Sequence, residues 1–388
     1  MLVAVAAAVK LILSALSPAS IDLTKIIMLV ASGQAPMGPW VALYPPLYNE
    51  TAANINQLQA WSSMAPFGSN PNFAMLSLLF RLPVFLCDLA TMIVLFWIGK
   101  KMKSSAEGRL MSLVWFLNPF SFFGVELLCL PDILCILLVS LSFLLLISER
   151  PLLSAAALGL GSFVKLFPIF LLPPLLMYMR LNGARRRSLL SVTFVGVLGL
   201  FGYLAWVLPY GFEYLVTPTP VTQLVSFVGG VANTVNSVTF GMFAYYCLQF
   251  IFMKKTGPLP MLLSALLAYY LFAVPGPQYL IWVLALMAVD IAFADHLKAW
   301  IVSSLLVAVF LQWFLVSSAF LTPSGYSFLM FPLAGPSLPS YSVAIGEFLD
   351  SRLVGIIIMP LVSSLTFALT LAYTAEQIRS WFSVPPTK

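Results

Sequence analysis

Phe73–Lys103 reads FAMLSLLFRLPVFLCDLATMIVLFWIGKKMK. Its apolar body, residues 73–99, is long enough for the roughly 17–25 residues that an α-helix needs to cross a ~30 Å hydrocarbon core. It stops on Lys100, Lys101 and Lys103, and cations collect where a transmembrane helix leaves the bilayer on the cytoplasmic side. The pattern recurs near 1–17, 109–120, 131–148, 151–166, 167–180, 188–208, 238–253, 258–274, 279–294, 299–320 and 352–373. Composition agrees: 61% of residues are hydrophobic, only 8% are charged, and the mean hydropathy is +1.01. A water-soluble fold could not bury that much apolar surface. The chain therefore reads as all-α, a single polytopic transmembrane helical bundle over residues 1–388 with about 11–13 spans. The spans between 109 and 180 are short and broken by Pro119, Pro131, Pro151, Pro168, Pro173 and Pro174, which suits half-helices or re-entrant hairpins around a cavity. Met1–Pro18 contains Lys10 and lacks a clear small-residue cleavage site before Asp22, so it reads as a retained first helix, with a cleaved signal peptide as the alternative.

Charge assigns the sides. Lys100, Lys101, Lys103, Arg109, Arg150, Arg180, Arg185, Arg186, Arg187, Lys254, Lys255, Lys298, Arg379 and Lys388 fall in one set of turns and at the C-terminus; these are cytoplasmic, as are both termini. The alternate loops, 18–72, 209–237 and 321–351, hold only Lys25 among basic residues and are rich in Pro, Gly, Asn, Ser and aromatics. They face the outside or a lumen, and the first begins with an amphipathic segment at Asp22–Val30 that predicts a re-entrant or amphipathic helix. The net charge of +6 is thus a topology signal and not a nucleic-acid footprint.

Other classes drop out. Cys87, Cys129, Cys135 and Cys247 lie in apolar runs, where they read as packing residues. The single histidine, His296, sits on the cytoplasmic side, so no histidine-based metal site or general base can be assembled opposite it. No cofactor is expected, a divalent metal being the one left open. A lipid or solute transporter is the lesser alternative: Asp88 and Lys10 are the nearest candidates for its midplane ionisable residues, although no convincing internal repeat supports it.

The topology rule leaves Lys10, Lys25, Arg81, Lys165 and Arg352 unexplained. A cation within hydrocarbon costs about 2.5–3.5 kcal/mol, so it pairs, snorkels or lines a wet cavity. Arg81, Lys165 and Arg352 fall toward the outer ends of spans, where they either snorkel or form a shared anion site, such as one for a polyprenyl phosphate. Asp22, following the first span, is either a helix cap or a general base at the mouth of that site. Glu126 and Asp132 lie near an outer turn on the same side.

Short patches carry a resemblance. They are Asp22 with Gly33–Pro36 and Tyr44–Leu47, then Trp115–Phe120 with its Asn118–Pro119, then Phe163–Pro168 around Lys165, and Gly276–Trp282 with Gln278–Tyr279. In order and sidedness these resemble the GT-C superfamily of polyprenyl-phosphate-sugar-dependent glycosyltransferases, especially GPI mannosyltransferase I and the prokaryotic polyprenol-phosphate-mannose mannosyltransferases. The resemblance implies a GT-C-like bundle in which a lipid-phosphate sugar donor, mannose by preference, binds through Lys165 with Arg81 or Arg352. Asp22 would activate an acceptor hydroxyl on a glycan, glycolipid or protein for inverting transfer. Tyr44, Asn118, Glu126, Asp132, Gln278 and Tyr279 would contact sugar or acceptor. The Asp-x-Asp pattern of the first loop is missing here, which speaks against a bridging metal. The alternative is a non-catalytic GT-C-like subunit that binds a glycolipid inside a larger complex, as the transamidase subunit of the GPI pathway does. Partners are then the bilayer and the lipid donor, with a small membrane subunit compatible with either reading. Compact loops without a retrieval signal favour a prokaryotic plasma membrane over the endoplasmic reticulum.

Overall fold

The computed structural model describes Val5, Ala7, Ala8 and Lys10, residues 71–118, Ser121, Val125, and residues 132–207, 234–252, 257–273, 280–293, 296–319 and 359–379. Among these residues there are eleven α-helices and no strand. They are α1 (Pro71–Met102), α2 (Ser105–Phe116), α3 (Asp132–Ile147), α4 (Pro151–Val164), α5 (Leu172–Leu181), α6 (Arg186–Val207), α7 (Thr234–Phe252), α8 (Pro258–Ala273), α9 (Ile281–Ile291), α10 (His296–Ala319) and α11 (Met359–Arg379), with a 3₁₀ turn at Phe167–Leu171. The helices follow the expected spans closely. α7 already begins at Thr234, inside the stretch expected as loop 209–237, and α11 runs past the expected end at 373 to Arg379. Loop 321–351 and the first-loop helix expected after Asp22 lie outside the described residues.

Arg81–Met102 of α1 and Arg186–Ala205 of α6 are long and apolar enough to cross a membrane; α3, α4, α7, α8 and α9 supply apolar stretches of 10–17 residues. The distribution of polarity is inverted relative to a soluble protein. Phe194, Phe201, Phe240 and Trp300 are exposed, whereas Asp88, Asp132, Gln249 and Gln377 are buried. An apolar exterior around a hydrogen-bonded polar interior is stable where the solvent is hydrocarbon.

Small residues set the closest approaches. α1 and α2 form a hairpin in which a Cβ on Gly99 would lie 2.6 Å from the Gly108 Cα. α4 runs beside α6, and there a Cβ on Gly199 would overlap the Gly159 carbonyl. Such glycines let helix backbones meet where side chains would hold them apart. α3 and α4 are joined through Ser148–Arg150: Arg150 N–H donates to Leu145 and Glu149 N–H to Leu146, with Glu149 at φ 58. This is a Schellman ending with a non-glycine residue in the left-handed position.

α9 lies at the centre. Every residue from Ile281 to Asp290 is buried, and the helix packs against α1, α2, α3, α8 and α10. Ile-Trp-Val-Leu-Ala-Leu-Met-Ala-Val is apolar on all sides, as a helix surrounded by other helices must be. Its two polar residues, Trp282 and Asp290, sit near its two ends and organise the sites described next.

Candidate functional site: lysine, aspartate and tryptophan at the helix ends

Asp132 is the first residue of α3, and Lys165 caps the C-terminus of α4. Because the two helices form an antiparallel hairpin, both residues return to one end of the bundle. Lys165 has extended backbone (φ −153°, ψ 143°), so the chain leaves α4 there and enters the 3₁₀ turn through Pro168. Pro168 fits because Gly161 has no side chain: a Cβ there would meet the proline ring at 3.2 Å.

The Lys165 ammonium lies 2.5 Å from Asp132 Oδ1. The same oxygen accepts from Trp282 Nε1 at 2.8 Å, and Lys165 Nζ stands 5.0 Å from the Trp282 ring centroid. Trp282 stacks on Phe167 (4.6 Å between centroids, 8° between planes) and packs 5.8 Å from Tyr269. Tyr269 in turn stacks on Phe170, whose carbonyl accepts from the Tyr246 hydroxyl at 2.6 Å. α3, α4, the 3₁₀ turn, α7, α8 and α9 are thereby tied together. The Asp132 side chain is 2% exposed while that of Lys165 is 36% exposed, so the acid is sealed and the lysine reaches the rim.

A second triad of the same chemistry lies deeper. Lys10 Nζ is 2.6 Å from Asp88 Oδ2, with side chains 3% and 0% exposed. Trp115 Nε1 donates to the other Asp88 oxygen at 2.8 Å. Lys10 also donates to the Ser121 hydroxyl at 3.2 Å and lies over the Phe116 ring at 4.2 Å. Ser121 donates in turn toward the Trp115 and Asn118 carbonyls at 2.8 and 3.0 Å. A third cluster closes the far end of α9. Asp290 accepts from Tyr373 at 2.7 Å and Gln377 at 2.8 Å on Oδ2, and from Lys298 at 3.2 Å on Oδ1. It joins α9, α10 and α11.

Of the residues singled out in the sequence, Lys165 and Asp132 are brought together. Asn118 belongs instead to the Lys10–Asp88 cluster through Ser121. Arg81 is buried on α1, two turns before Asp88 on the same helix face. Asp22, Arg352, Tyr44, Glu126, Gln278 and Tyr279 lie outside the described residues. The indole partners Trp115 and Trp282 lay inside quoted patches without a role there, and the Asp290 cluster was missed. A lone acid ending the run Ile281–Asp290 was the available signal, since a carboxylate in hydrocarbon must be met by donors.

Chemically, Asp88 and Asp132 are each held by a lysine and an indole, and Asp290 by a lysine, a tyrosine and a glutamine. Such a group is a clasp between helices rather than a free base. Among the described residues there is no group of three or more His, Cys, Asp or Glu that could hold a metal.

The sequence profile of the GPI transamidase subunit PIG-U matches residues 26–229, more than half of the 388-residue chain. The chain belongs to the PIG-U family. A search of the curated proteins gave no match. Membership in PIG-U overturns the resemblance to GPI mannosyltransferase I and the polyprenol-phosphate-mannose mannosyltransferases, and with it the expectation of an inverting glycosyltransferase that moves mannose from a lipid phosphate. Of the stretches that carried that resemblance, Gly33–Pro36, Tyr44–Leu47, Trp115–Phe120 and Phe163–Pro168 lie inside the PIG-U match. Asp22, offered as the base, and Gly276–Trp282 lie outside it. Within the structure, Trp115 serves the Asp88 clasp and Lys165 the Asp132 clasp, so their two patches have structural work that needs no transferase chemistry.

Proposed function

We propose that this protein is a non-catalytic, membrane-embedded subunit of a GPI transamidase, contributing a rigid helical bundle on which the glycolipid and the other subunits assemble. The observation that carries this reading is the PIG-U match over residues 26–229. The geometry supports it: the Asp132 and Asp88 carboxylates are occupied by internal partners, which suits a scaffold better than an enzyme active site. The bundle is polytopic and GT-C-like, with the turns carrying Lys100–Lys103, Arg150 and Arg185–Arg187 in the cytosol. A GPI transamidase subunit resides in the endoplasmic reticulum membrane in preference to a prokaryotic plasma membrane. Lys165, whose head reaches the rim beside the sealed Asp132, is the group best placed to meet a phosphate of the glycolipid.

Affinity purification of the tagged full-length chain in mild detergent tests the reading. The expected result is a stable multi-subunit assembly that transfers GPI to a precursor protein. A monomeric chain that alone transfers mannose from a lipid-phosphate donor would refute it.

A further inference from the structure

We propose that the end of the bundle where α4, α5 and α6 meet is a docking surface for the phosphate-bearing headgroups of anionic membrane lipids, gripped by Arg150, Arg180, Arg185, Arg186 and Arg187. The proposal rests on the membrane reading of the chain but not on its place in a transamidase.

The five arginines come together for structural reasons. α5 ends in a Schellman motif: Ala184 N–H donates to Met179, Gly183 N–H donates to Arg180, and Gly183 takes φ 80°. The chain reverses within a tight turn and α6 starts at Arg186. Arg150 precedes α4, and the close contact of Gly159 with Gly196 and Gly199 sets α4 and α6 side by side in the same direction. Counting back from that contact at 1.5 Å per residue places Arg150 and Arg186 at nearly the same level. Arg150, Arg180, Arg185, Arg186 and Arg187 are all exposed.

Along its own stretch of chain this concentration of charge has little acid to offset it. From Arg150 to Val207 the sequence contains no acid, and Glu149 is the nearest. Two helix N-termini, of α4 and α6, point to this end, and neither carries an acid in its first turn. The positive end of a helix dipole favours anions and disfavours arginine. Guanidinium forks and free first-turn N–H groups together present what a phosphate oxygen needs. All five cations are arginines, the side chain suited to bidentate phosphate contact, whereas the α1–α2 turn uses Lys100, Lys101 and Lys103.

The surface below the charges is why the ligand is a lipid. Leu190, Phe194, Leu198 and Phe201 are exposed at 61%, 65%, 50% and 62%. They recur at three- and four-residue spacing along one side of α6, starting one turn from Arg186 and Arg187. An anionic headgroup above a row of apolar side chains is the outline of a glycerophospholipid. Arg180 stands 5.1 Å from the Phe250 ring centroid, which ties α7 to the same corner.

Native mass spectrometry of the full-length protein from mixed micelles of phosphatidylserine and phosphatidylcholine tests this. The wild type should retain phosphatidylserine preferentially, and the triple variant R185Q/R186Q/R187Q should lose that preference by about tenfold or more. The variant R185K/R186K/R187K keeps the topological charge and should lose only part of it. K100Q/K101Q/K103Q removes the same charge at the α1–α2 turn and should leave the preference intact. An undiminished preference in the Arg-to-Gln variant, an equal loss in the Lys-to-Gln variant, or full displacement of the lipid by millimolar inorganic phosphate would each overturn the proposal.

Discussion

Lys10 and Asp88 are both almost fully excluded from the surface, so deleting one leaves the charge of the other buried. Lys10→Met or Asp88→Leu alone should cost about 3–5 kcal/mol, while the double substitution should recover most of that loss, because apolar replacement of a whole buried pair is often neutral. A double-mutant cycle on unfolding in detergent reads this directly. Lys165→Met should cost a comparable amount, about 3–5 kcal/mol, even though its own head is at the rim, because it leaves the sealed Asp132 carboxylate without its cation. Trp282→Phe keeps the stack on Phe167 but removes a hydrogen bond to a buried carboxylate, an expected loss of about 1.5–3 kcal/mol. None of these pairings could be read from the chain: Lys10 and Asp88 are 78 residues apart and Trp282 and Asp132 are 150 apart. Sequence marked Lys10 and Lys165 as cations needing partners because of their depth. It could not choose the partners, which depend on the register of helices that are not neighbours in sequence.

At the scale of elements, the helix boundaries were largely legible because charge, proline and glycine mark helix ends locally. α2 shows the local rule. Ser104 caps it, accepting from Ala106 N–H at 3.0 Å, and hydrogen-bonds to Glu107, whose other oxygen meets Lys103 at 2.8 Å. Lys103 first, then Ser104, lower the Glu107 pKa from 4.5 to about 2. A lowered carboxylate contributes stability above its ordinary value, lost as pH falls through about 2. Ser104→Ala should therefore speed amide exchange in the first turn of α2, and Glu107→Gln should remove the pH dependence of that protection. The α4–α6 contact is stricter: Gly199→Val, which must displace the Gly159 backbone, should cost about 3 kcal/mol. Glu149→Gly should be neutral or stabilising by up to about 1 kcal/mol, relieving a left-handed residue in the α3–α4 turn. Thermal unfolding of the two variants, in opposite directions, checks both.

For the whole molecule, composition was enough to establish helices and membrane, while function was misread where it rested on short motifs. Asn118–Pro119 and the turn at Lys165–Pro168 answer demands that every polytopic bundle makes at its helix ends: a stop, a cap, a paired cation. They do not separate one membrane family from another, and the PIG-U profile, extending over residues 26–229, does. The most direct measurement is an inventory of glycolipids and precursor proteins in cells depleted of this chain. A transamidase subunit predicts that complete GPI accumulates alongside precursors that keep their C-terminal signals. Accumulation of GPI intermediates short of a mannose would contradict the account.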